Sequence, residues 1–182
     1  MDIAKAERVK RIHDIFMLLM RISKRWLAQR LQIYGLTFPQ FVTLAALAVH
    51  QQACTMSDLT NVTFQDPPTT TGIIDRLVKM KLVQRTRSET DRRVVLVKSS
   101  EAGIELINQI EQSLMQDTLP GYDLLTDEEL ATVEQLLGRL LRIHLTQYMS
   151  IEQANLDAEI EKLEHFVKDP IYYQKLENEK NT

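Results

Sequence analysis

The chain has 182 residues, 44% hydrophobic and 26% charged, enough for one ordinary domain or a compact domain with a helical extension, and unlike a disordered, collagen-like or fibrous polymer. Five Gly and five Pro favour long helices over a many-turned all-β fold. The formal net charge of -3 hides a division: residues 1 to 99 carry 16 Lys and Arg against 8 Asp and Glu, whereas residues 100 to 182 carry 6 against 17. A basic half points to an anionic partner, nucleic acid being the commonest, although two solvated surfaces of opposite sign would account for the charge alone equally well.

The longest apolar runs, Ile15 to Met20 and Leu44 to Val49, are six residues each, far below the roughly 20 of a membrane span. Lys5, Arg8, Lys10 and Arg11 precede no apolar stretch of signal-peptide length, so a cytoplasmic location and no membrane partner are expected. Cys54 is the single cysteine. It excludes an intramolecular disulfide and a multi-cysteine zinc site, in keeping with a reducing compartment.

In chain order, Ile12, Ile15, Phe16, Leu19, Ile22, Trp26 and Leu27 fall at steps of three and four, predicting a long amphipathic helix from Val9 to Leu31 that Gly35 ends. Thr37 is placed to cap a second helix, with Pro39 in its first turn, running to about His50. Thr55 or Ser57 opens a short third helix, which the Asp66-Pro67-Pro68 break ends. Thr69, Thr70 and Thr71 begin a fourth, with Ile73, Ile74 and Leu77 on its buried face. The period then changes to two: Leu82 to Arg87 and Arg93 to Lys98 are rich in β-branched residues and flank the polar turn Ser88 to Arg92, predicting a two-stranded hairpin. Ser99 or Ser100 caps a helix that stops near Pro120-Gly121. Thr126 with Glu129 forms a capping-box pattern ahead of a periodic helix through Leu130, Leu137, Leu141, His144 and Tyr148. A last amphipathic stretch with Leu156, Ile160, Leu163 and Phe166 runs to Pro170, and the polar tail from Lys175 is expected to fray.

Three helices, a fourth and a hairpin make the order of a winged helix-turn-helix, in which the helix after the turn enters the DNA major groove and the hairpin wing touches the neighbouring minor groove. Pro68, Thr69, Thr70 and Thr71 open the recognition helix, where short hydroxyls and outward helix amides suit phosphates and base edges. Arg76 should reach the DNA backbone. Arg85, Arg87, Arg92 and Arg93 crowd the hairpin tip, and an exposed guanidinium there suits a narrow minor groove. Asp91 is expected to orient Arg93 by accepting from its guanidinium. The competing readings are a simple cap for the threonines and, for the tip, a charged edge that prevents sheet association.

Leu36-Thr37-Phe38-Pro39-Gln40-Phe41, Asp75-Arg76-Leu77, Leu82-Val83, Asp91-Arg92-Arg93-Val94-Val95-Leu96-Val97 and Ser100-Glu101-Ala102-Gly103 together resemble the MarR family of bacterial transcriptional regulators over roughly residues 10 to 148. The resemblance implies a homodimeric winged-helix regulator, expected to be a repressor, bound to a pseudo-palindromic double-stranded operator and in many cases released by small phenolic or other aromatic ligands, oxidants or, in a few cases, metal ions. It places the recognition helix over Pro68 to Met80 and the wing arginine at Arg93. It also implies a mainly α fold with a small β-hairpin wing and a helical dimerisation domain from the N- and C-terminal helices. The divisions expected are 1-35 for an N-terminal dimerisation helix, 36-99 for the DNA-binding domain, 100-150 for C-terminal dimerisation helices and 151-182 for an extension.

Two positions depart from the family pattern. Lys81 stands where the family often has Gly, so a left-handed helix exit there costs about 1 kcal/mol or gives way to another geometry. Gly72 stands where many relatives carry a longer side chain. The extension past residue 150 enlarges the dimer interface, covers a ligand pocket or packs as an extra helix, the first being the expectation.

No catalytic arrangement is present in the pattern, and an enzyme is not expected. His13, His50, His144 and His165 lie on different predicted helices without metal-ligand spacing, and no phosphate-binding glycine loop or nucleophile elbow occurs. Cys54 is expected near the end of the second helix as a small hydrophobe, since no Lys or Arg lies between Arg30 and Arg76 to stabilise a thiolate. An effector pocket should lie where the dimerisation and DNA-binding parts meet, with Phe16, Met17, Met20, Trp26, Phe38 and Phe41 as candidate lining. No resident cofactor or metal is expected beyond such a small aromatic effector. The alternative function is a winged-helix protein-interaction module without DNA affinity.

Overall fold

The computed structural model describes residues 2–49, 53–88 and 91–167. Its first helix, α1, runs Ile3–Ile33, starting six residues before the predicted Val9 because Ala4, Lys5, Ala6 and Glu7 are good helix formers with no breaker among them. Gly35 ends it in a left-handed conformation, φ 69. Its amide donates to the Gln32 carbonyl and that of Leu36 to the Leu31 carbonyl, both at 3.1 Å, which is the Schellman closure of a helix C-terminus.

The second helix, α2, spans Phe38–Val49. Thr37 and Gln40 cap it reciprocally: the Thr37 amide donates to Gln40 Oε1 at 2.8 Å and the Gln40 amide donates to Thr37 Oγ1 at 3.5 Å. Six of its residues are buried, and it is the axle of the winged domain, packed against the helices and sheet that follow.

A two-residue strand, β1 (Cys54–Thr55), precedes α3 (Met56–Thr63). Next come α4 (Pro67–Lys79), β2 (Val83–Arg87) and β3 (Val95–Ser99). The sheet is antiparallel in the order β1-β3-β2, with Cys54 and Arg85 on opposite sides of Val97. A third strand therefore joins the predicted hairpin, and Cys54 lies in it rather than near the end of α2. The core forms where Leu44 and Leu47 of α2 meet Leu59, Ile74, Leu77 and Val97.

Three helices complete the described chain. Ser100 caps α5 (Glu101–Tyr122) through its hydroxyl on the Gly103 amide, and Thr126 with Glu129 closes the capping box of α6 (Asp127–Tyr148). The helix stops next to the predicted Pro120-Gly121, at Tyr122: proline removes one donor, and the Asp123 amide makes the closing bond to the Leu119 carbonyl at 3.2 Å. A short 3-10 turn, Gln153–Asn155, leads into α7 (Leu156–Val167). No single helix among the described residues is long and apolar enough to cross a membrane.

Two packing facts matter for function. Ile12, Ile15, Leu19 and Ile22 of α1 and Leu136 and Leu137 of α6 are each half or more exposed, so the apolar faces read from the periodicity are turned out of this chain rather than into its core. By contrast α7 turns its apolar face inward. Leu156 is 2% exposed, α7 packs on α2 and α6, and Arg142 of α6 pairs with Asp157 at 2.7 Å. The extension thus begins as an extra helix seated on its own chain; Pro170 and the tail from Lys175 lie outside the described residues.

Candidate nucleic-acid interface

The helix in the recognition position is α4, Pro67–Lys79, one residue offset from the expected Pro68 to Met80. Asp66 caps it, accepting the Thr69 amide at 2.9 Å and the Thr69 hydroxyl at 2.7 Å; these bonds, backbone first, hold the carboxyl below its ordinary value. Pro67 and Pro68 occupy the first two positions and have no amide proton. The Thr70 amide donates to the Asp66 carbonyl at 3.0 Å. The expectation of outward amides for phosphate is therefore corrected: each of the first four positions is a proline or an amide already bonded, beside a carboxylate.

The three threonines also separate. Thr70 is fully buried, donates to the Asp66 carbonyl at 3.1 Å and accepts from the Thr60 hydroxyl at 3.4 Å; it fastens α4 to α3 and is not a DNA contact. Thr69 is exposed but its hydroxyl belongs to the cap. Thr71 is exposed and donates to the Pro67 carbonyl at 2.9 Å. Pro68, Thr71, Gly72, Asp75, Arg76 and Lys79 are exposed at steps of three and four, so they share the outward face of α4.

Behind this helix, the chain turns at Lys81. It is left-handed, φ 64, as glycine is at the end of α1. The Lys81 amide donates to the Val78 carbonyl at 2.9 Å and that of Leu82 to the Leu77 carbonyl at 3.0 Å, the same Schellman closure built without a glycine. Of the two outcomes foreseen for Lys81, the left-handed exit is the one adopted. The corner is then bolted to α5: the Ser100 hydroxyl donates to the Lys81 carbonyl at 2.8 Å and the Ser100 amide to the Leu82 carbonyl at 2.9 Å. Gly103 permits this approach, because a Cβ there would stand 2.3 Å from the Leu82 carbonyl oxygen.

The wing carries Arg85 and Arg87 on β2, with Arg92 and Arg93 at the return, all exposed; Glu89 and Thr90 of the turn lie outside the described residues. Arg85 is engaged, its Nη1 bonded to Asp75 Oδ1 of α4 at 2.5 Å, which ties the wing to the recognition helix. Asp91 does orient Arg93, but by a different atom from the one expected. Its carboxylate accepts the Arg93 backbone amide at 2.9 Å, and the Val94 amide closes the turn on the Asp91 carbonyl at 2.9 Å, an Asx-type turn.

The candidate effector residues do not form one cluster. Phe38 and Phe41 pack on the winged-domain core, whereas Phe16 is half-buried on α1 with its ring 5.9 Å from that of His144 on α6. Met17 and Met20 are 41% and 49% exposed, and Trp26 is half-buried. The His144 ring in turn meets that of Tyr148, tilted, with centroids 5.1 Å apart; His13 is exposed on α1 and His50 lies outside the described residues. Among the described residues no three His, Cys, Asp or Glu side chains form a group able to hold a metal ion. Burial, and then the nearby Asp58, push the Cys54 thiol above its ordinary value, which disfavours the thiolate an oxidation sensor uses.

Sequence reasoning gave no site role to Asp75 or to the cations Lys79 and Lys81. Lys79 was legible, three residues beyond Arg76 on the same helix face. Asp75 and Arg85 lie ten residues apart on different elements, and no local pattern joins them.

A tri-helical unit, an exposed second helix of a helix-turn-helix and an arginine-bearing wing between long helical arms define a winged-helix protein of the nucleic-acid-binding class. A model of the MarR family matches residues 34–94, from the end of α1 through the wing. The uncharacterized HTH-type transcriptional regulator YsmB of Bacillus subtilis is 33% identical over 107 residues, 59% of this chain and 73% of that protein. The HTH-type transcriptional repressor NicR of Pseudomonas putida is 40% identical over 73 residues, covering 40% of this chain and 46% of its own. In three dimensions, a Cys-to-Ser mutant of E. coli MarR complexed with operator DNA aligns with TM-score 0.63 at 27% identity, covering 78% of this chain and 99% of that one. The chain belongs to the MarR family.

Proposed function

We propose that the protein is a DNA-binding transcriptional regulator, acting as a homodimer on a pseudo-palindromic operator, in the manner of a repressor. The observation that carries this reading is the bond from Arg85 to Asp75: it sets an arginine-tipped wing beside the exposed face of α4, so that one element meets the major groove and the other the adjacent minor groove. Arg76, Lys79, Arg87, Arg92 and Arg93 supply the phosphate and minor-groove contacts. The named relatives are transcriptional regulators, and a MarR neighbour was crystallised with operator DNA.

The outward apolar faces of α1 and α6 support dimerisation, because a stripe of that length left in water is costly and a two-fold partner covers it symmetrically. Two recognition helices then require half-sites about one helical turn, roughly 34 to 36 Å, apart. A small aromatic effector acts by binding the DNA-incompetent arrangement more tightly, and among the candidate contacts Phe16 is half-buried beside the His144 ring. A cytoplasmic location follows from the role, since operator DNA is there. Fluorescence anisotropy on DNA from immediately upstream of the protein's own coding region tests the proposal: competitor-resistant binding supports it, and binding no tighter than to scrambled duplex removes it.

A further inference from the structure

The outward face of α4 is poor in hydrogen-bond donors, and a donor-poor face discriminates among base pairs. Pro68 offers an apolar ring without an amide proton. The single hydroxyl proton of Thr71 is given to the Pro67 carbonyl at 2.9 Å, which leaves a methyl group and acceptor lone pairs for a ligand. Gly72 has no side chain, and a Cβ there would meet nothing within 4 Å. Asp75 is an acceptor and is held by Arg85. The first side-chain donor along the face is Arg76, in the third turn.

In the major groove guanine presents two acceptors, N7 and O6, and needs a donor. An A·T pair presents the thymine methyl and the adenine N6 donor, whereas a G·C pair offers the cytosine N4 donor without a methyl, so the apolar groups of Pro68 and Thr71 decide between the pairs. We infer that the first two turns of α4 read A·T pairs, packing thymine methyls against Pro68 and Thr71 and accepting from adenine N6 at the Thr71 hydroxyl, and leave guanine unread. This rests on the DNA-binding reading above and specifies its substrate. The wing agrees independently, since exposed Arg92 and Arg93 suit the narrow minor groove of A·T-rich DNA.

The test uses the full chain and a library of duplexes randomised across the site, with the retained duplexes sequenced. The best duplex is remade with deoxyuridine for thymidine, which removes only the C5 methyl. The expected result is an A·T-rich core in each half-site and a loss of roughly four-fold for each contacted methyl removed. Gly72→Arg, which adds a donor fork where there is room, should gain a guanine in each half-site. Thr71→Val, which keeps the methyl and drops the acceptor, should keep the thymine preference and lose the adenine one. A wild-type core with guanine at the positions that move in these variants, or indifference to deoxyuridine, overturns the inference while leaving DNA binding intact. Enrichment of no sequence, with no duplex retained at low salt, overturns the DNA-binding reading and this inference together.

Discussion

Arg85 on the wing and Asp75 on the recognition helix form an ion pair, 2.5 Å from Nη1 to Oδ1, a second tie between two elements already joined by the corner at Lys81. The two side chains are 33% and 49% exposed, so the pair adds little to stability, under about 1 kcal/mol; its work is to fix one angle. Asp75→Ala is expected to leave the thermal midpoint within a few degrees and to weaken operator binding about five- to ten-fold, near the 1.4 kcal/mol of a ten-fold change. The exchanged pair Asp75→Arg with Arg85→Asp should recover part of the loss. Unchanged affinity in Asp75→Ala would separate the wing angle from DNA binding.

Arg93 sits on the Asp91-closed turn. Arg93→Ala should weaken operator binding by about 1 to 3 kcal/mol and leave the dimer unchanged in sedimentation. Asp91→Ala should reproduce part of that loss although it removes a negative charge from the interface, because its carboxylate holds the Arg93 amide. Tighter binding by Asp91→Ala would mean that its charge outweighs its turn.

The corner behind α4 makes two stability predictions of opposite sign. Lys81→Gly removes the left-handed strain of a side-chain-bearing residue and should raise stability by about 1 kcal/mol in urea denaturation. Gly103→Ala forces a methyl against the Leu82 carbonyl and Ser99 Oγ, 2.3 and 2.5 Å from the new atom, and should cost about 1 to 3 kcal/mol.

The extension is expected to act within its own chain first. Leu156→Ala should cost about 2 to 5 kcal/mol in unfolding experiments, as for other fully buried leucines. Truncation before Ile151 removes the same contact. If the missing helix also belongs to the dimer interface, sedimentation equilibrium of the truncated chain will show a looser dimer; an unchanged dimer constant confines its role to α2 and α6.

Asp66 gives a pH dependence with a definite sign. Its folded value is depressed by the Thr69 amide and hydroxyl, so its contribution is complete above the unfolded value near 3.9 and is lost as pH falls through the lower folded value. Asp66→Asn keeps an acceptor for the Thr69 amide. It should flatten that acid-side loss in stability measurements and, by removing a carboxylate beside the recognition helix, tighten DNA binding. Equal acid sensitivity in the two proteins would assign the loss to other carboxylates.

Much of the fold was legible because its signals are local. The Thr37, Ser100 and Thr126 caps, the break at Asp66 and the change of period at Leu82 each act within a few residues. β1 was not legible: two residues carry no alternation, and Cys54 pairs with Val97, 43 residues away, only once the hairpin exists. The threonines show the same limit at the interface. Thr69, Thr70 and Thr71 look alike in sequence, but the angle at which α4 meets α3 buries the middle one and the two prolines with Asp66 consume the amides that a helix N-terminus ordinarily offers. Arg85 was correctly placed on the wing, whereas its partner depends on a contact between a helix and a strand.

The central claim is that α4 and the arginine wing grip a duplex through its phosphates, and a salt series measures that grip directly. Anisotropy titrations of upstream DNA should give a log affinity that falls linearly and steeply with log salt, at about -0.9 per phosphate neutralised. The Arg92→Ala/Arg93→Ala double variant should give a shallower line. A wild-type affinity that does not change with salt, or no binding at the lowest salt, would contradict the account.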